Sequence, residues 1–437
     1  MLARFRRVAT GAVVGIIVGL IASHAASQEP SPSGTKEQPQ PPVTEAPPTL
    51  PTPGLPIASY PLTLLGLLGP PAQRGPVTLT PSIGVSEEYN DNVDSDNRHR
   101  RSDFITDFSP TVTLSVYRPS FQLNAGYSFS SALYAEGTRP NEAFQSQNLV
   151  GSGLFRLTRG LTLTVADSFA FNRSDTNRVA VQSFSTGRQE SWSNTFGPGM
   201  TWQMTPRDSL TLNATYGVLR YLGAGTGADS DTYGFQSSLS HAFTLRFSGT
   251  VGYGFTHLSL RNQPDSNTHT PTIGFGYKLT PTLSASVNGG VAVTQLSGET
   301  ELSPSAAASL VQQFSFGYAS LNYNQGIGVA GGFGGTTNTQ SVSATLALST
   351  LLKGLLVVLG PTYTRSESVS SRQGGQVDVW AASMSLAATY QIARLVSVFG
   401  GYNFFFQRTG GSSSTQADVD QNVVRFGLQF GYPINFD

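Results

Sequence analysis

The chain of 437 residues contains no cysteine. That absence excludes thiol catalysis, cysteine-based metal sites and a lipid anchor carried on an N-terminal cysteine. Charge is scarce as well: Asp, Glu, Lys and Arg make up 12% of the residues and balance to a net charge of zero. A basic footprint for nucleic acid is therefore missing. Beyond the N-terminus no long stretch carries helical periodicity, which disfavours a helical bundle. Gly-rich phosphate loops, metal-ligand spacings and nucleophile elbows are missing too. With 5 His in the whole chain, the composition predicts a non-enzyme without a cofactor.

What the chain does have is 47 Gly, 26 Phe and 16 Tyr, and a period of two. In the final stretch Val424, Phe426, Leu428, Phe430, Tyr432, Ile434 and Phe436 share one parity, and apart from Val423 the residues between them are polar, Gly or Pro. A period of two sets the large apolar groups on one sheet face. The same alternation runs through 121–130, through 210–218 and through 245–255. These faces are about ten residues long, the span a tilted strand needs to cross a bilayer. Lipid leaves no water for unpaired backbone groups, so such a sheet must close on itself. The pattern predicts an all-β fold, a closed antiparallel transmembrane β-barrel over 77–437, with an apolar face toward outer-membrane lipid and a polar face toward the lumen.

The N-terminus reads differently. Arg4, Arg6 and Arg7 followed by an apolar run over 11–21 and the small residues near Ala25 predict a signal peptide over 1–25. From 26 to 76 the chain is rich in Pro, among them Pro39, Pro41, Pro42, Pro47 and Pro48. Proline suits neither a ladder nor a helix interior, so this segment is expected to be an extended, disordered periplasmic tail. Its apolar patch over 62–68 reads either as a spacer or as a plug or handle for a periplasmic partner.

Strands are expected near 77–89, 104–117, 121–134, 145–157, 161–172, 191–204, 210–222, 232–241, 245–257, 268–279, 283–296, 304–313, 316–329, 340–350, 355–367, 377–392, 396–407 and 422–436. That pattern gives about eighteen strands, an even number as single-chain bacterial barrels require, with sixteen as the alternative. Connections sort by length: tight ones such as Arg118-Pro119 and Thr280-Pro281-Thr282 alternate with long ones such as 172–190 and 408–420. Short periplasmic turns and long outer loops are expected of this architecture.

The segment Gly84-Val85-Ser86-Glu87-Glu88-Tyr89-Asn90-Asp91-Asn92-Val93, followed by Asp103-Phe104-Ile105-Thr106-Asp107-Phe108-Ser109-Pro110, resembles the opening of the beta-barrel porin 2 family of outer-membrane proteins. The resemblance implies a porin-like barrel in the bacterial outer membrane, in a family associated with exopolysaccharide export. The terminal aromatics Phe430, Tyr432 and Phe436 are the expected signal to the barrel-assembly machinery, although Asp437 rather than an aromatic ends the chain.

The polar parity supplies the candidate lumen lining: Thr111, Thr113, Ser115, Gln122, Asn124, Arg156, Thr201, Asn213, Arg246, Lys278, Arg425 and Gln429. A wall of hydroxyls and amides offers donors and acceptors to polar, mostly uncharged solutes or polysaccharide, with weak ion selectivity. Ser and Thr also fill the watery face of any barrel, and a lumen sealed by loops that bind surface ligands is the competing expectation. Basic residues near the short turns (Arg118, Arg156, Arg159, Arg207, Arg246, Lys278, Lys353, Arg394) read as a cationic vestibule or as anchors at the lipid headgroups. Clustered Glu87, Glu88, Asp91, Asp94, Asp96, Asp103 and Asp107 suit a hard divalent cation, yet the interspersed Arg98, Arg100 and Arg101 favour a salt-bridged loop. His257-Leu258-Ser259 resembles the His-x-Ser element of a lipid A deacylase, but those barrels are much smaller and no orienting acid is placed by sequence.

Overall fold

The computed structural model describes residues 76–172, 184–185, 190–222, 228–261, 263–329, 333, 335–349, 352–369, 377–410 and 418–436. The expected signal peptide and nearly all of the Pro-rich tail lie outside these residues. The first nine strands are β1 (Val77–Asn90), β2 (Asp103–Tyr117), β3 (Phe121–Tyr134), β4 (Glu142–Arg156), β5 (Leu161–Asn172), β6 (Glu190–Gln203), β7 (Asp208–Leu222), β8 (Ser230–Ala242) and β9 (Phe247–Leu260). Next come β10 (Ser266–Lys278), β11 (Leu283–Leu296), β12 (Glu299–Phe314), β13 (Gly317–Val329), β14 (Thr336–Leu348) and β15 (Leu355–Ser368). The last are β16 (Asp378–Ala393), β17 (Val396–Gly410), β18 (Val419–Gly431) and β19 (Ile434–Phe436).

Every sequential neighbour from β1 to β18 pairs antiparallel, and β1 closes the ring by pairing with both β2 and β18. Pro433 has no N–H to give to a ladder. It divides the last strand in two, and β19 resumes along the start of β1 with Phe436 opposite Val77. The nineteen elements therefore make eighteen staves, not sixteen.

Directly paired residues share a face, so register sorts the wall into two surfaces. Ile83, Val85 and Tyr89 lie opposite Phe430, Leu428 and Val424, and all six are exposed. Ser82, Ser86 and Glu88 lie opposite Gly431, Gly427 and Arg425 on the other surface. The exposed set continues around the ring through Val112, Tyr127, Phe196, Tyr216, Phe235, Val251, Ile273, Val287, Leu321, Tyr363 and Leu386. An apolar girdle of this extent would drive association in water, whereas lipid covers it. Because the closed ladder leaves no unpaired edge for the bilayer to desolvate, the chain is an outer-membrane barrel.

The ends differ as expected. Eight connections on one side are short, from Arg118–Ser120 between β2 and β3 to Arg394–Leu395 between β16 and β17. The other side carries the connections over 91–102, 173–189 and 411–418. Several boundaries depart from the sequence reading: β4, β14 and β18 start at Glu142, Thr336 and Val419, three or four residues earlier than expected, and two further cases have a visible cause. Leu245, expected to open a strand, is 96% exposed in the β8–β9 turn, where the Thr244 hydroxyl accepts the N–H groups of Arg246 and Phe247. β12 starts at Glu299 rather than near Pro304, because Ser297 and Gly298 close a two-residue turn with φ of 52° and 82°. That left-handed pair matches the twist of a tight hairpin. One outer connection is thus as short as the periplasmic ones.

Candidate functional site

Register places most of the candidate lining on the inner surface. Thr111, Thr113 and Ser115 stand opposite Ser82, Thr80 and Thr78, and on their other side opposite Ser128, Gly126 and Asn124. Gln122 shares that face, Thr201 lies between Thr162 and Thr211, Asn213 opposite Gly199, and Gln429 opposite Gly84. Lys278 and Arg156 close the periplasmic ends of β10 and β4 on the same surface. The Arg156 guanidinium donates to the Pro119 carbonyl at 3.2 Å. Arg246 does not belong to the wall: it lies in the β8–β9 turn, because β9 starts one residue later. Phe430 points outward, and Tyr432 and Phe436 are exposed at the periplasmic end.

Part of the inner wall, in its periplasmic and middle thirds, is open to solvent. Asn124, Ser152, Thr164, Asn324 and Asn403 all point inward by register and all are exposed. Side chains on the inside of a packed barrel would be buried. Water therefore reaches amides and hydroxyls on β3–β5, β13 and β17, whereas on β9–β12 the equally inward Thr250, Asn288, Ser305 and Ala307 are buried.

Toward the outer end the same surface is covered. Val379, Ala381, Phe405 and Val419, all on inward parity, are buried together with Val377 and Phe184, and Phe333 of the β13–β14 connection packs against them. Phe184 and Ser185 come from the β5–β6 connection, far around the ring from β16–β18. The Ser185 N–H donates to Oε1 of Gln407 at 2.7 Å, and Nε2 of Gln407 donates to the Ser185 carbonyl at 2.6 Å. This reciprocal pair satisfies one backbone donor and one acceptor inside an apolar cluster. A connection of the opposite wall is thereby fastened inside the lumen.

The first outer connection folds over the wall beside it. Val93 packs on Ile105, Ala132 and Tyr134. Below, Nε2 of Gln421 donates to Oδ1 of Asn90 at 2.9 Å and to the Asn92 carbonyl at 2.7 Å, and Nδ2 of Asn92 donates to the Asp420 carbonyl at 2.8 Å. Under this cover sits the one inward arginine of the outer half among the described residues, Arg425. Its Nε donates to Glu88 at 3.0 Å, a second guanidinium nitrogen closes a bidentate contact with the same carboxylate, and Asp107 stands 3.7 Å away. Two carboxylates to one guanidinium leave this part of the wall acidic.

The acidic residues of the first outer loop are held by cations of the chain itself. Asp91 pairs with Arg100 at 2.5 Å, and Asp96 lies 3.0 Å from His99. Asp94 accepts from Arg101 at 2.7 Å and from Arg139 at 2.8 Å. Burial pushes the Asp94 carboxyl up, but the two guanidiniums outweigh it and hold it below the usual carboxylate range. These ion pairs agree with the salt-bridged reading of this loop. His257 stands on the outer surface of β9, its Nδ1 2.8 Å from Oδ1 of Asn267.

Sequence reasoning missed the fastening of Phe184 and Ser185 to Gln407. A signal was present: Val379, Phe405 and Val419 break the polar parity at the outer ends of three adjacent strands. Apolar residues on the watery face need something to cover them.

No family model matches the chain, and no curated protein matches it. Among solved structures, Pseudomonas aeruginosa OpdQ matches at 12% identity and a TM-score of 0.44, over 82% of this chain and 99% of that one. Acinetobacter baumannii OccAB4 matches at 13% identity and a TM-score of 0.41, over 84% and 100%. The alcaligin outer membrane receptor FauA of Bordetella pertussis matches at 14% identity and a TM-score of 0.34, over 81% and 76%. Likenesses this distant assign no solute.

Proposed function

We propose that the barrel is a passive outer-membrane channel for polar, mostly uncharged solutes, narrowed at its outer end by connections folded into the lumen. The observation that carries the reading is the set of solvent-exposed amides and hydroxyls on the inner wall, Asn124, Ser152, Thr164, Asn324 and Asn403. Such groups exchange hydrogen bonds with a hydrated neutral solute without imposing a strong field. Sugar hydroxyls fit this lining, and the resemblance of the first hairpin to the beta-barrel porin 2 family adds outward-moving exopolysaccharide as a candidate cargo. The Pro-rich tail, in this reading, stays in the periplasm.

A second reading draws on the burial at the outer end. If the fastened connection together with the first outer loop fills the lumen, the barrel is a surface-binding or structural protein acting through its loops. Planar-bilayer recording of the refolded protein separates the two. Steady single-channel openings, with faster swelling of liposomes in neutral sugars, support the channel. Electrical silence from protein whose folding is verified by heat-modifiable migration supports the sealed barrel.

A further inference from the structure

We propose that the lumen is electrically bipolar, acidic in its outer half and basic at its periplasmic end, so that the open channel rectifies ion current; this rests on the channel reading above. Register identifies which charges face inward. In the outer half these are Glu299, which is exposed, and Glu301, opposite Leu296 and Thr294, together with Glu88 opposite Arg425, Asp107 opposite Ser86, Asp103 opposite Asn90 and Glu142 opposite Ala132, of which Glu88 and Asp103 are buried. Arg425 is the single cation facing them among the described wall residues. In the periplasmic half the described inner wall carries Arg156, opposite Thr162, and Lys278, opposite Ser284, and no carboxylate. The remaining carboxylates of the strands lie on the outer surface: Glu87 opposite Phe426, Asp167 opposite Phe196, Glu190 opposite Leu222, Asp208 opposite His241, Asp231 opposite Val218, Glu367 opposite Asp378 and Asp420 opposite Phe406. The inner surface is thus sorted by sign along its axis.

A pore with an acidic mouth and a basic mouth conducts unequally in the two directions. When the outer side is positive, cations enter past the carboxylates and anions enter past Arg156 and Lys278, so both accumulate and conductance rises. When the polarity is reversed, each ion meets the mouth of its own sign and the lumen is depleted. A unit charge acts on an ion 10 Å away with about 0.4 kcal/mol in water. Several such charges, screened over a Debye length of about 10 Å at 0.1 M salt, are expected to change occupancy about twofold.

The test is single-channel current of the full chain in a planar bilayer at equal and opposite voltages. We expect a current ratio of about two in ~0.1 M KCl that falls toward one in ~1 M, where the Debye length shrinks to about 3 Å. Channels inserted in opposite directions give mirror-image curves with the same ratio. The variant E299Q/E301Q/R156Q/K278Q should bring the low-salt ratio close to one, and R156Q/K278Q alone should lower it should the fourfold variant not fold. Symmetric wild-type currents at low salt, a ratio indifferent to salt, or a ratio that survives these substitutions would each overturn the bipolar lumen while leaving the channel intact. Silence from verified folded protein would overturn the channel reading and this proposal with it.

Discussion

Detaching Phe184 and Ser185 from Gln407 should enlarge the conductance, and the structure sets the scale of the effect. Phe184 is 7% exposed, so replacing it with Ala forfeits about 1.5–3 kcal/mol of apolar burial. Gln407→Ala strands the N–H and C=O of Ser185, which is fully buried; each unsatisfied group costs about 1–3 kcal/mol unless the segment moves out to water. The cheaper course is to move out. A loss of about 2.8 kcal/mol lowers the ratio of fastened to released segment about a hundredfold. The wall itself should hold, because Gln407 contributes to the ladder through its backbone, paired with Ala381 and Val419.

The assay is single-channel recording of Phe184→Ala, Gln407→Ala and the double variant, beside liposome swelling in neutral sugars of increasing size. We expect larger unit conductance and a higher size cut-off in each, with the double variant close to the larger single effect because both substitutions undo the same attachment. Heat-modifiable migration should match wild type. Unchanged conductance and cut-off in a folded double variant would refute the reasoning. The fastened segment would then lie outside the path of permeation, and the outer-end burial would have no bearing on transport.

Arg425→Met removes the cation between Glu88 and Asp107, leaving two carboxylates unneutralised; the reversal potential in a salt gradient should shift toward cation selectivity, and stability should fall by about 3–5 kcal/mol if both remain ionised. Phe430→Asp sets a charge on the lipid face at a cost of up to about 2–4 kcal/mol, so less folded, heat-modifiable protein should be recovered from membranes; normal recovery would contradict the outward register. At Gly290 an added Cβ would come 2.1 Å from the Pro271 carbonyl oxygen, and Gly290→Val should lower the melting temperature, consistent with the roughly 1–3 kcal/mol typical of overpacking. Asp94 has a folded pKa below its unfolded value, so its pairing with Arg101 and Arg139 stabilises the first outer loop fully above the ordinary Asp range, near 3.9, and is lost as pH falls through the lowered value. Protection of the amides in 91–102, after correction for the intrinsic pH dependence of exchange, should fall on acidification, and Asp94→Asn should lower that protection already at neutral pH.

Much of the wall was legible because lipid and water impose one rule on every strand. Alternation such as Phe121, Leu123, Ala125, Tyr127 fixes the face of each residue, and a turn residue such as Gly354, with φ of 83°, marks where a stave ends. Legibility faded toward the outer ends. There the chain leaves the bilayer, polar residues no longer signal a single face, and strands run on past their last lipid-facing apolar residue, as β12 does from Glu299 to Glu301. The Ser297–Gly298 turn was obscured because Ser is an uncommon choice for a left-handed position.

The lumen was legible by surface and opaque by contact, for a physical reason. Parity identifies Gln407 as inward but cannot say what it meets, since its partner Ser185 is 222 residues away and belongs to a connection with no periodicity of its own. Glu88 and Arg425, 337 residues apart, are equally remote in sequence. Their pairing follows from ring closure, which brings β1 against β18 in a register set by the lipid-facing positions, Tyr89 opposite Val424 and Val85 opposite Leu428. Because side chains alternate with a period of two, a slip of one residue would send Arg425 into lipid and Phe426 into the lumen. The girdle therefore specifies the polar geometry inside the barrel, and substitutions on the outer surface that shift the β1–β18 register should alter selectivity from across the wall.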